Sequence, residues 1–77
     1  MDKELTLIHM VQDFSECAEE YDCAASNERL WAKGADNFET AQMHEENAEH
    51  CAMMAKMYRN MAKHPEAILK LFMEDEV

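Results

Sequence analysis

The sequence predicts an all-α protein: a long antiparallel helical hairpin with a short third helix at the C-terminal end, completed as a bundle by oligomerisation. Three observations carry this. The 77-residue chain has one glycine and one proline, leaving almost nothing to build tight β-turns from, while 48% of it is apolar. Apolar residues recur at steps of three and four, the spacing of one helical face. The single glycine lies near the middle, in Lys33-Gly34-Ala35-Asp36-Asn37-Phe38-Glu39, where a helix-stop signal is followed at once by a helix-start signal. A chain of this length makes one domain, residues 1–77, close to the lower size at which a single core outweighs the entropy of ordering the backbone.

Helix 1 is expected over about residues 3–33. Leu7, Val11, Phe14, Ala18, Tyr21 and Ala25 alternate steps of four and three, with Met10, Cys17 and Ala24 beside them, so one side of the helix is apolar. Gln12, Asp13, Glu16, Glu19 and Glu20 occupy the opposite side. Lys33 suits the carbonyl end of the helix dipole, and Gly34 is expected to take the left-handed position that closes a helix. Asp36 with Glu39 three residues later reads as a capping box opening the next helix. A rival break lies at Ala25-Ser26-Asn27-Glu28, where Ser26 or Asn27 would cap a separate helix. Leu30 and Trp31, which fall off the apolar stripe, fit either that break or an apolar tip.

Helix 2 is expected over about residues 37–63. Ala41, Ala48, Ala52, Ala55 and Ala62 share a face, Cys51 and Tyr58 lie beside it, and Met43, Met54, Met57 and Met61 extend the arc past half of the circumference. One neighbouring helix cannot cover so wide an arc, so these methionines are the expected oligomer interface. Helix 3, about residues 65–74, starts on Pro65 at a favoured first helical position and aligns Ala67, Ile68, Leu71 and Phe72.

Charge narrows the partners. Seventeen acids against seven bases give a net charge of −10, which repels nucleic acid and anionic membrane. A protein partner with a basic surface is expected instead, met by Asp13, Glu16, Glu19 and Glu20, which follow one another along one side of helix 1. No apolar run is long enough for a membrane span or signal core, and three cysteines without a CxxC pair suit a reducing compartment, so the expected location is cytoplasmic.

Chemical groups are sparse. In His44-Glu45-Glu46-Asn47-Ala48-Glu49-His50-Cys51, Glu46 and His50 share a helical face. A hairpin pivoting at residue 35 would bring Glu20 level with His50 and Cys17 level with Cys51 to Met53. Glu46, His50, Cys17 and Cys51 are thus the candidate metal ligands. The sequence lacks the close ligand pairs of structural zinc sites and the Glu-x-x-His pairs of di-iron bundles, so free thiols and solvated histidines are expected, with no metal and no cofactor. Neither cysteine sits by a glycine turn or oxyanion-donor loop, and no enzyme is expected. Lys56, Arg59, Lys63 and His64 form a basic end to helix 2.

The functional expectation is a small acidic protein-binding regulator or inhibitor, by compositional analogy of the kind phage and mobile elements encode. The alternatives are an oligomeric module holding a metal or an anionic small molecule, and a structural subunit of a larger assembly.

Overall fold

Asp2 starts the first helix with its own side chain. Its Oδ1 accepts hydrogen bonds from the backbone N–H of Glu4 at 3.0 Å and of Leu5 at 3.3 Å, satisfying donors that the first turn leaves without partners. The computed structural model describes residues 2–75, and these form three helices: α1 (Lys3–Gly34), α2 (Phe38–Lys63) and α3 (Pro65–Asp75). No strand occurs among the described residues, and the all-α class holds.

α1 runs through Ser26 and Asn27 without a break, both lying exposed on its outer side. The turn after it departs from the expected chemistry in two ways. Gly34 is the last residue of the helix and does not take a positive φ. The cap falls instead on Ala35, in extended backbone, whose N–H reaches the carbonyl of Ala32 at 3.4 Å. The second helix is capped by Asn37, not by Asp36: Asn37 Oδ1 accepts from Thr40 N–H at 2.8 Å. A cap bonds the amide two or three residues on. Moving the cap by one residue therefore replaces Glu39 by Thr40 at the third position, and the Asp36/Glu39 capping box does not form. At the far end of α2, His64 N–H bonds Met61 O at 3.1 Å, and Pro65 opens α3, where a missing N–H is harmless.

α1 and α2 pack along their length through rows that repeat every seven residues. On α1 the rows are Val11, Ala18, Ala25, Ala32 and Phe14, Tyr21, Glu28; on α2 they are Ala41, Ala48, Ala55, Ala62 and His44, Cys51, Tyr58. Seven residues make about two turns, so each row holds one side of its helix. The fully buried residues among those described are Ala18, Ala25, Ala48 and Ala55, each 2% exposed or less. Side chains this small let the two backbones approach closely. Cross-helix contacts join Phe14 to Tyr58, with ring centroids 6.1 Å apart, Tyr21 to Tyr58 at 5.7 Å, Asp22 to Arg59, and Glu28 to His44. Numbers on α2 fall as those on α1 rise.

Phe14 with Tyr58 and Glu28 with His44 set a register two residues away from a pivot at residue 35. The level opposite Tyr21 is then Cys51, a small side chain. Because helical side chains lean toward their own N-terminus, the Tyr21 and Tyr58 rings lean toward each other, and they stack within 17° of parallel.

The result is long and thin, 53 × 22 × 15 Å, with a radius of gyration of 16.7 Å, against about 11–12 Å for a compact domain of this length. No large side chain among the described residues is fully buried, while Leu5, Ile8, Leu30, Trp31, Phe38 and Met53 are each more than half exposed.

Candidate protein-interaction site

The outer side of α1 presents Asp13, Glu16, Glu19 and Glu20, all exposed. From Asp13 to Glu20 the carboxylates cover two turns, roughly 10 Å of helix axis. Glu16, Glu19 and Glu20, with Cys23, Ala24 and Asn27, line a shallow surface groove. Asp22 pairs with Arg59 and Glu28 hydrogen-bonds His44, and neither contact includes a member of the strip. Arg59 nonetheless acts on one of them. Its guanidinium is held in the charged form first by its hydrogen bond to Asp22, and Glu19 adds to that attraction. The same bond holds the Asp22 carboxyl below the ordinary aspartate range. Asp13, Glu16 and Glu20 form a row that Arg59 does not pair with, with Glu19 at its edge.

The basic end of α2 is partly spent on this contact. Lys56, Arg59 and Lys63 line a shallow groove with Met57 and Asn60, but Arg59 turns back to α1.

The structure does not gather the candidate metal ligands. His50 is exposed, Glu46 accepts from Gln42 Nε2 at 3.5 Å, and Cys17 and Cys51 are half-buried free thiols. The register explains the separation of Cys17, on α1, from the three candidates on α2. Cys17 falls at the level of Ala55, four residues or roughly 6 Å along the axis from Cys51. Among the described residues, no group of three or more His, Cys, Asp or Glu side chains could hold a metal ion. Of the methionines, Met43 and Met57 are half exposed. Met54 and Met61 are half-buried, and Met61 shares a cleft with Phe14, Tyr58, Ile68, Leu71 and Phe72, where α3 meets the helix pair.

One cluster escaped the sequence reading. His44 Nδ1 lies 2.5 Å from Glu28 Oε2, with both side chains at most 20% exposed, and the Trp31 indole meets the imidazole edge-on at 5.7 Å. An ionised carboxylate only accepts, so the ring N–H donates. The available signal was the seven-residue row: Glu28 continues Phe14 and Tyr21, and His44 precedes Cys51 and Tyr58. Trp31 thereby has a role at the tip. No described helix is long and apolar enough to cross a membrane.

Comparison with protein-family models, with curated proteins and with solved structures returned no match.

Proposed function

We propose that this chain is a small protein-binding regulator or inhibitor without chemistry of its own. Its two long helices act as an antiparallel hairpin that lays the outer side of α1 on a basic surface of a target protein. The carrying observation is that Asp13, Glu16 and Glu20 stand exposed in one row while Arg59 pairs with their neighbour Asp22 and not with them. Like charges this close repel and cost stability. A basic target surface relieves that repulsion, and its field speeds association in a salt-dependent way.

The test is a comparison of the wild-type chain with the variant Asp13→Asn, Glu16→Gln, Glu19→Gln, Glu20→Gln, its helicity checked by circular dichroism. A target captured from host extract by the wild type should bind the variant at least tenfold more weakly, with the loss mostly in association rate and in salt dependence. Equal affinity and equal salt slope would assign the row to solubility alone. A second reading, an anionic small molecule held at the basic end, draws on the groove of Lys56, Met57, Arg59, Asn60 and Lys63. It predicts thermal stabilisation by inorganic phosphate or a nucleotide, lost on Lys56→Gln with Lys63→Gln.

A further inference from the structure

α2 keeps one side free of acids. The row Met43, His50, Met57 and the adjoining row Thr40, Asn47, Met54, Met61 contain no carboxylate, whereas Glu39, Glu45, Glu46 and Glu49 all stand on other rows of the same helix. Met43 is 51% exposed and Met57 50%; His50 is exposed as well. The three are spaced evenly, with one methionine seven residues to either side of the histidine, and His50 stands at the middle of α2 (Phe38–Lys63).

Two features select the occupant of this side. The first is area. The chain exposes 6132 Å², whereas a compact 9.0 kDa protein exposes roughly 4,900 Å². The excess, roughly 1,300 Å², is more than the ~800 Å² that each partner contributes to an interface of standard size. The second is charge. With a net charge of −10 per chain, two copies repel through most of their surface, and a side without carboxylates is where they can meet.

We infer that this side of α2 is the seam of an isologous dimer of the chain. A two-fold axis makes one patch serve both copies. With α2 antiparallel to the second copy's α2, the axis passes beside His50, the two His50 side chains face each other, and Met43 of each copy lies opposite Met57 of the other. Met61 stands at the end of the same side, in the cleft where Leu71 and Phe72 of α3 are 59% and 64% exposed, so α3 widens the seam at both ends. The acidic row of α1 stays outside, and the dimer displays it twice. This assembly is independent of what that row binds.

The mass of the wild-type chain, measured by light scattering and sedimentation between 1 and 100 µM, should be twice that of one chain. Geometry is then read by cross-linking in a background of Cys17→Ala, Cys23→Ser and Cys51→Ala. His50→Cys should couple to itself with a short bismaleimide. Met43→Cys and Met57→Cys should each couple at least tenfold less alone, and efficiently when mixed. Met57→Glu should give a monomer of unchanged helicity. A wild-type monomer at 100 µM would overturn the inference and leave the face to a different protein. A dimer in which His50→Cys fails to couple while another position couples to itself would overturn the assigned seam.

Discussion

Toward the start of α1 the seam between the long helices is aromatic, Phe14 and Tyr21 against Tyr58, with a cleft between it and α3; toward the tip the same rows carry Glu28 against His44, with Trp31 across the imidazole edge. The two ends do different work. Aromatic contacts contribute burial and ring packing, whereas a half-buried carboxylate–imidazole hydrogen bond contributes little net stability, because the desolvation of its polar groups offsets most of the attraction. What the pair contributes is register. The alanine rows look the same after a slip of seven residues, so alanine packing by itself barely distinguishes one alignment from the next. A slip in one direction would place Glu28 at the level of Cys51 and His44 at the level of Ala35, and in the other His44 at the level of Tyr21 and Glu28 at the level of Asn37; either breaks the pair, at about 1–3 kcal/mol for each polar group left without a partner. The aromatic end makes the pairing strong, and the polar end makes it unique.

The largest effect that would break this contrast comes from the rows common to both ends. Ala55 is fully buried, and Ala55→Leu has no room unless the helices separate, so about 3 kcal/mol of stability should be lost. At about 4–8 °C per kcal/mol for a chain of this size, a thermal melt would show it plainly. An unchanged melting temperature would mean that the close alanine contact is absent in solution.

Next in size is the aromatic end. Tyr58 touches both Phe14 and Tyr21 but is only half-buried, so Tyr58→Ala should cost about 2 kcal/mol, below the 3–5 kcal/mol typical of a fully buried aromatic. Tyr58→Phe should cost far less. Urea titration followed by circular dichroism measures both, and equal losses in the two variants would shift the explanation from ring packing to the hydroxyl.

The polar end sharpens the comparison through a difference in kind. Glu28→Leu or His44→Leu alone should cost about 1–2 kcal/mol by leaving the other group half-buried and without its partner. The double variant Glu28→Leu, His44→Leu should recover most of that loss while losing register. Distances between spin labels at Glu20 and at Ala52, residues of the same level, should then broaden from one population into two. A single sharp distance in the double variant would show that alignment is set elsewhere, by the turn.

The smallest effect belongs to the exposed Asp22–Arg59 pair. Because the folded Asp22 carboxyl sits below its ordinary range, its contribution is fully present above the unfolded aspartate pKa of about 3.9 and is lost as the pH falls through the lower folded value. The wild type should therefore resist acid slightly better than Asp22→Asn at pH 5, with the two curves converging below pH 3. The difference should shrink in 1 M salt, which screens an exposed pair. Curves that diverge with falling pH would contradict this sign.

Particular residues show how far local sequence carries. Pro65 announces the start of α3, and the interleaved steps of three and four from Leu7 to Ala25 announce one side of α1, because these signals depend only on residues within a turn or two. Asp36 and Asn37 were less separable. Both are good caps, and the choice between them depends on where α1 releases the chain. Of the four candidate metal ligands, Glu46, His50 and Cys51 keep their places on α2 in any register, and a displacement of two residues moves Cys17 from the level of Met53 to that of Ala55. The acidic row of α1 was legible throughout, since nothing has to fold across it for its members to share one side.

From its sequence alone this protein is committed to helices, to a turn near residues 35–37, to one acidic and one apolar side on α1, and to an acid-free side on α2. All of these follow from composition, caps and periodicity, which act over a few residues. Tertiary structure decided that the fully buried positions among the described residues would be alanines rather than the larger apolar residues, that Tyr21 would pass over the small Cys51 to stack on Tyr58, and that Glu28 would find His44. Those outcomes depend on which residues come level when two helices meet. That alignment is a property of the pair, fixed by one turn and one polar contact, and neither helix contains it by itself.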